Sequence, residues 1–262
     1  MKIAVIGAGA MGGAMARGWL QGAVVTPQNL TISDPSPIIR DSFTALGVNV
    51  TGDNSAAVSD ADIVAVVVKP WLVRNVINGI KHTIDLQRQT LLIIAAGVKA
   101  QDVQSWLSKD DDPTPPFFLV IPNTAIEVLA SMTFIVPVNA SSQQTELVTS
   151  IYNKVGRTLL TSEQLLPAAT TLASCGIAYA MRYVRAATQG GVEIGFKADI
   201  AKDIVLQTVQ GAVQLLQATG HHPEAEIDKV TTPGGVTIKG LNEMEHAGFT
   251  SAVIRGLKAG LK

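Results

Sequence analysis

The sequence predicts an α/β fold, a doubly wound and mostly parallel sheet followed by an all-helical C-terminal domain. Short apolar runs alternate with helix-spaced segments through the first part of the chain. A glycine-rich turn joins the first apolar run to the first helical segment. Near Thr161–Glu163 the strand-like runs stop and long helical patterns take over. Strand-helix alternation builds parallel sheets, because each crossover needs a helix to return the chain. The change of pattern divides the chain into domains over residues 1–161 and 162–262.

Strands are expected at Lys2–Ile6, Leu30–Ser33, Ile63–Val68, Thr90–Ala95, Phe117–Ile121 and Met132–Val136. Their apolar character is nearly continuous, as in strands covered on both faces. Helical spacing marks Met11–Gln21, Ile38–Leu46, Val73–His82 and Ala100–Leu107 between them. Leu165–Phe196 is largely helix-compatible. Asp199–Thr219 carries apolar residues at 201, 204, 205, 209, 212, 215 and 216, with Thr208 on the same face, the rhythm of an amphipathic helix. Asp199 is the expected N-cap and Gly220 the expected stop. A last helix is expected from Val236 to Ala247, ended by Gly248. The polar, proline-rich stretch Lys109–Pro116, with its run Asp110–Asp112, reads as a solvated loop. Small residues are dense along Ala168–Gly195, which lets helices approach closely, so the helical part is expected to form a homodimer interface, with packing against the first domain alone as the alternative.

Composition narrows the function classes. The 262 residues are 47% hydrophobic, 16% charged and 5% aromatic, a composition that buries a core. A formal net charge of -1 gives no reason to expect nucleic acid or an acidic membrane as partner. The apolar runs have strand length and are too short to cross a bilayer. Met1-Lys2 and the following apolar run imitate a signal peptide, but Gly7, Gly9, Gly12, Gly13 and Arg17 interrupt it. The single Cys175 permits no internal disulfide and fits a cytoplasmic protein, where it is expected to be a small packed residue. His221-His222 look like a metal pair, yet no third ligand lies nearby in sequence, and no metal is expected.

Gly7-Ala8-Gly9-Ala10-Met11-Gly12 follows the first strand and opens the first helix. In that context Gly7 permits the turn, Gly9 lets backbone approach a pyrophosphate, and Gly12 allows close helix packing. Ala10 and Met11 begin a helix whose free N–H groups suit the phosphates. The motif points to a Rossmann-type domain binding NAD or NADP. Asp34, at the end of the second strand, stands where an acid reads the ribose hydroxyls and repels a 2′-phosphate, which favours NADH. Ser36 and Arg40 argue the other way, since both can meet a phosphate, and Asp34 also suits a helix cap. Lys69-Pro70, Ala96-Gly97 and Pro122-Asn123-Thr124 each follow a strand, where loops of an open parallel sheet line the ligand crevice. Asn123 offers a donor and acceptors to a nicotinamide amide or a substrate. Each of these loops is equally readable as an ordinary strand-ending turn.

The second motif is Thr231–Leu241. Pro233 pre-sets a turn, Gly234 and Gly235 tolerate unusual backbone angles, and a helix begins at about Val236. The amides at such a start hold a small carboxylate substrate without Arg or Lys, and the Thr237 hydroxyl can join them. A plain interhelix turn is the competing explanation.

Taken together these residues resemble the pyrroline-5-carboxylate reductase family, along essentially the whole chain. Gly7–Gly12 resembles its cofactor loop, Val68-Lys69-Pro70 its "VKP", Ala95-Ala96-Gly97-Val98 its "AAGV" and Pro122-Asn123-Thr124 the centre of its "MPNTP". Ala178-Tyr179 resembles the end of "SGSGPAY". The longest match is Thr232-Pro233-Gly234-Gly235-Val236-Thr237-Ile238 with Leu241, Glu245, Gly248-Phe249 and Ala252-Val253-Ile254. The resemblance implies an oxidoreductase of proline biosynthesis that reduces the C=N bond of 1-pyrroline-5-carboxylate with NADH or NADPH. It implies carboxylate binding by Gly234, Gly235 and Val236, protonation of the ring nitrogen by Thr237 or a water, and dimers gathered into larger oligomers. The sequence departs from the family at Leu119, where an Arg is usual, at Ile121 for Met and at Ala125 for Pro. It departs again at Ala173–Ile177, where Ile177 replaces a proline, and at Arg185 and Gln189, where acids are common. These departures leave room for a catalytically silent dinucleotide-binding dimer. A 3-hydroxyacid dehydrogenase is the other alternative, although neither Lys197 nor Lys202 has the motif its catalytic lysine needs.

Overall fold

A computed structural model describes residues 1–108 and 115–261. The Asp110–Asp112 run and most of its loop lie outside the described residues. The chain divides into two compact units, Met1–Ser174 and Cys175–Lys262.

The first unit is built on one eight-stranded sheet: β1 Ile3–Ile6, β2 Leu30–Ser33, β3 Asn49–Thr51, β4 Ile63–Val66, β5 Thr90–Ile93, β6 Phe117–Ile121, β7 Ser131–Val138 and β8 Gly156–Leu160. Their order is β3-β2-β1-β4-β5-β6-β7-β8, and every neighbouring pair is parallel except the antiparallel β6 and β7. The connecting helices are α1 Ala10–Gln21, α2 Pro37–Thr44, α3 Asn54–Val58, α4 Pro70–Ile80, α5 Ala100–Leu107, α6 Ser142–Asn153 and α7 Leu166–Ala169.

Alternation along β1 explains the two layers of core. Ile3 and Val5 pack on one face with Met15 and Trp19 of α1 and Val148, Ile151 and Tyr152 of α6. Ala4 and Ile6 pack on the other with Val73, Ile77 and Ile80 of α4 and Val103 and Leu107 of α5. Each large side chain removed from water contributes about 1.5–3 kcal/mol, so a strand that feeds both layers is anchored twice. Trp19 meets Tyr152 edge-on, with ring centroids 5.9 Å apart. The Tyr152 hydroxyl donates to Met15 Sδ at 3.4 Å, and burial pushes its phenol well above the ordinary range.

The two outer strands, β3 and β8, lie outside the sequence expectation, because an edge strand need not be an apolar run. Helix α6 also lies outside that expectation, although Ser141 and Gln144 form a reciprocal capping box at its start.

The second unit holds only helices: α8 Cys175–Glu193, α9 Ala198–Thr219, α10 Pro223–Val230, α11 Val236–His246 and α12 Phe249–Ala259. Lys197, not Asp199, is the N-cap of α9; Asp199 sits in the first turn, where a carboxylate complements the free amides. Gly220 ends the helix in the left-handed conformation, φ +64°. Helix α8 approaches α9 through Gly191, where an added Cβ would stand 2.9 Å from the Cβ of Ala201. Ala201, 2% exposed, is the one buried hydrophobic residue of this unit among those described, while Ile194 is 78% exposed. No described helix is long and apolar enough to cross a membrane.

Candidate active site

The strand ends of the first unit are level. Ile6 pairs with Ser33 on one side and Val66 on the other, and Val66 pairs with Ile93. Three amides continue the ladder one residue further: Gly7 to Ser33 O at 2.8 Å, Val67 to Ile6 O at 2.8 Å and Ile94 to Val66 O at 2.9 Å. Sheet order reverses between β1 and β4, and a crevice opens where their loops diverge. The glycine loop and the loops that carry Asp34, Lys69, Ala96 and Asn123 each leave the carboxyl end of a strand.

Gly7 turns the chain at φ +89°, and a Cβ there would stand 2.6 Å from Val67 O. Gly12 lies against that turn, its would-be Cβ 2.0 Å from Gly7 O, so α1 packs directly on the loop. Gly9 differs: a Cβ on it would meet nothing within 4 Å. Gly9 is also the N-cap of α1 and offers no side chain to the amides of Ala10 and Met11. The loop therefore has one tightly packed side and one open side lined with helix-start amides, which suits a dinucleotide pyrophosphate.

Asp34 is buried, 6% exposed, and both carboxylate oxygens accept backbone hydrogen bonds. Oδ2 accepts from Ala8 N–H at 2.9 Å and Oδ1 from Ser36 N–H at 2.9 Å. The cap of α2 is Ser36, whose Oγ accepts from Ile39 N–H at 3.5 Å. The half-buried Arg40 folds back over this loop and donates through Nη1 to Asp34 O at 2.7 Å and Pro35 O at 3.0 Å.

Lys69 is exposed at the start of α4, with Pro70 in its first turn. Ala96 and Gly97 are exposed after β5, Gly97 at φ +82° with open space where its Cβ would be. Asn123, after β6, is 5% exposed. Its Oδ1 accepts from Ala125 N–H at 3.1 Å, and Nδ2 donates to Ala173 O at 3.4 Å. One amide hydrogen of that NH2 is left for a ligand. Ser174 Oγ donates to Pro122 O at 3.0 Å, so the loop is tied at two points to the π-helical turn Thr170–Ser174.

In the second unit, Gly235 N–H donates to Thr232 O at 2.9 Å, closing the turn that Pro233 and Gly234 form. Gly234 has φ +71°. A Cβ on Gly235 would stand 2.5 Å from Thr232 Oγ1, which makes glycine the residue that fits. Gly235 is the N-cap of α11 and supplies no capping side chain. Val236 is 86% exposed and Thr237 is exposed beside it, so the helix start presents amides and a hydroxyl to solvent.

A family model described as pyrroline-5-carboxylate reductase dimerisation matches residues 163–262, and one described as NADP oxidoreductase, coenzyme F420-dependent, matches residues 2–103. The chain is 32% identical to the pyrroline-5-carboxylate reductase of Arabidopsis thaliana, over 100% of this chain and 93% of the relative. The chain belongs to the pyrroline-5-carboxylate reductase family. Pyrroline-5-carboxylate reductase 1 of Dictyostelium discoideum is 38% identical over 97% of the chain, which spans about half (48%) of that longer relative. The crystal structure of Plasmodium falciparum pyrroline carboxylate reductase with NADP bound superposes with a TM-score of 0.90, at 25% identity, covering 100% of this chain and 95% of that one.

The first unit thus gathers Gly7, Gly9, Ala10, Met11, Gly12, Asp34, Ser36, Lys69, Pro70, Ala96, Gly97 and Asn123 at one end of one sheet. What sequence reasoning missed are the ties behind them. Ala8 is held by Asp34, and Asn123 by Ala173. His221 faces Glu226 at 2.6 Å, and the Lys229 ammonium, with His221, holds that carboxyl below its ordinary range.

Proposed function

We propose that this chain reduces the C=N bond of 1-pyrroline-5-carboxylate to L-proline, the last step of proline biosynthesis, with a nicotinamide dinucleotide as reductant. The observation that carries this is similarity to reductases of that name along the whole chain, joined to an uncapped helix start at Gly235–Thr237. A bound reduced dinucleotide would supply the hydride for the imine carbon, and the proton for the ring nitrogen would come from solvent by way of a water or Thr237 Oγ, so that C=N becomes CH–NH.

The chain's residues do the holding. The open side of the Gly7–Gly12 loop takes the pyrophosphate on the amides of Ala10 and Met11. Lys69, Pro70, Ala96 and Gly97 line the crevice, and Asn123 fixes the loop after β6 while its remaining amide hydrogen serves substrate or nicotinamide. Gly234, Gly235 and Val236 hold the substrate carboxylate through backbone N–H groups. Thr237 Oγ donates its hydrogen bond to the ring nitrogen and makes the adjacent carbon a better hydride acceptor. Residues 1–161 form the dinucleotide-binding domain and 162–262 the substrate and dimerisation domain. Exposed apolar helices of the second unit form the homodimer contact, since a single chain leaves them in water.

The test is oxidation of NADH and NADPH, in parallel, by purified protein with 1-pyrroline-5-carboxylate. Turnover with proline as product is the expected result. Dinucleotide binding without turnover would overturn the reductase assignment in favour of a silent dimer.

A further inference from the structure

We infer that Arg17, paired with Glu127, is a positioning residue for the imine reduction: it fastens the loop of Asn123 to α1, the helix whose start faces the pyrophosphate. The inference rests on the reaction proposed above. Asn123 is the N-cap of the short 3-10 turn Thr124–Val128, and its Oδ1 accepts from Ala125 N–H inside that turn. Ile126 N–H donates to Asn123 O at 3.1 Å and Ala130 N–H to Ala125 O at 3.0 Å, so the turn is closed on itself. The Asn123 carboxamide therefore takes its direction from the turn that follows it. Its other tie, Nδ2 to Ala173 O at 3.4 Å, is long and weak.

The turn lies directly on α1. Ile126 is fully buried in the core layer that holds Met15 and Trp19. Gly18 lets the two backbones meet: a Cβ there would stand 2.2 Å from Ile126 O and 2.9 Å from Ile126 C. Such a contact sets the separation of turn and helix but not their rotation, because apolar packing has no direction. Arg17 supplies the direction from the preceding position on α1. Its Nε donates to Glu127 Oε1 at 2.7 Å. Its guanidinium carbon stands 5.6 Å from the centroid of the buried Phe43 ring of α2, so the cation is held by two elements at once. Both members of the ion pair are partly open to water, 42% and 44% exposed, and pairs of that kind add little to stability. The geometry assigns this one to orientation. With it gone the turn can swing about the Gly18 contact and carry away the amide hydrogen that Asn123 keeps for a ligand, and small misplacements of that sort lower rates far more than they unfold proteins.

The experiment compares the wild type with Arg17→Met, Glu127→Ala, the double variant and Arg17→Lys. Each is read for single-turnover oxidation of whichever reduced dinucleotide the wild type uses, at saturating 1-pyrroline-5-carboxylate, for dinucleotide Kd and for melting temperature. Arg17→Met and Glu127→Ala should each slow the hydride step by about threefold to thirtyfold. Dinucleotide Kd should stay within about twofold, since the glycine loop is untouched, and melting within about 2 °C. The double variant should be no slower than the slower single one, because both remove the same tie. Arg17→Lys keeps a cation within reach of Glu127 and should restore most of the rate. Unchanged rates would overturn the inference, and so would losses that multiply in the double variant. Rate losses that track a fall in melting temperature or in dinucleotide affinity would overturn it as well, making Arg17 a structural or cofactor-contact residue. A wild type without turnover removes the reductase reading and this inference with it, whereas turnover with inert variants removes the inference alone.

Discussion

Two alanine substitutions three residues apart in the same loop should have opposite effects. At Gly12 an added Cβ would stand 2.0 Å from Gly7 O, 3.0 Å from Gly7 C and 3.3 Å from the Val67 Cβ. Ordinary contact begins near 3.4 Å, so α1 must withdraw by more than an ångström, and its closest obstacles are backbone atoms that cannot rotate away. Because α1 carries Met15 and Trp19 into the core, that withdrawal disturbs packing well beyond the loop. Overpacking of this kind costs about 1–3 kcal/mol, with Gly12→Ala at the upper end. For a unit of this size roughly 2–4 °C is lost per kcal/mol, so the melting temperature should fall by about 6–12 °C. At Gly9 the same methyl meets nothing within 4 Å, and its φ of -62° suits any residue. Gly9→Ala should melt within about 2 °C of wild type without ligand, yet bind NADPH at least about tenfold more weakly, a loss of about 1.4 kcal/mol. Melting curves without cofactor and fluorescence titration with NADPH read both effects. Wild-type affinity in Gly9→Ala would mean that the open side of the loop is not where the pyrophosphate lies. An unchanged melting temperature in Gly12→Ala would refute the packing of α1 on the turn.

Further substitutions separate chemistry from support. Thr237→Ala should lower kcat/KM about tenfold or more in the imine reduction assay with little change in melting, since Thr237 is exposed; wild-type kinetics would remove it from the mechanism. Asn123→Ala leaves Ala173 O and Ala125 N–H without their side-chain partner and should cost about 1–3 kcal/mol in urea unfolding; unchanged stability would assign Asn123 to ligand contact alone. Tyr152 is neutral in the fold at pH values where the unfolded chain already ionises it, so its contribution is complete below about pH 10 and is lost as pH rises beyond that. Tyr152→Phe should therefore be within about 1 kcal/mol of wild type at pH 8 and lose less stability between pH 8 and 10.5. Parallel losses in the two proteins would contradict the buried phenol as a cause.

How much of this was legible in the sequence depends on how far each signal reaches. Strands β1, β4, β5 and β6 were plain because burial on both faces demands an unbroken apolar run, and such a run survives without its neighbours. The edge strands β3 and β8 have no such demand, and Asn49-Val50-Thr51 carries only one apolar residue. Site residues at strand ends were legible for the same reason as the strands. Their ties were not: Asp34 reaches Ala8 across 26 positions and Asn123 reaches Ala173 across 50, and no spacing rule links such pairs. An acid at the end of β2 was legible in the sequence, whereas its hydrogen bonds from the Ala8 and Ser36 amides were not.

Helix α9 carries the same lesson in reverse. Its apolar rhythm at 201, 204, 205, 209, 212, 215 and 216 is the clearest in the chain and would ordinarily be taken as a face turned to the core. In the single chain only Ala201 on that helix is buried, while Ile204 and Leu215 stay exposed. A periodic face left in water is unfavourable by roughly 25 cal/mol for each Å² of apolar area, far too much to be repeated along a helix without a partner. Periodicity reports that a face is buried in the working molecule and is silent about which chain covers it. The match of residues 163–262 to a dimerisation family is consistent with a second chain as the cover of apolar helix faces in this unit.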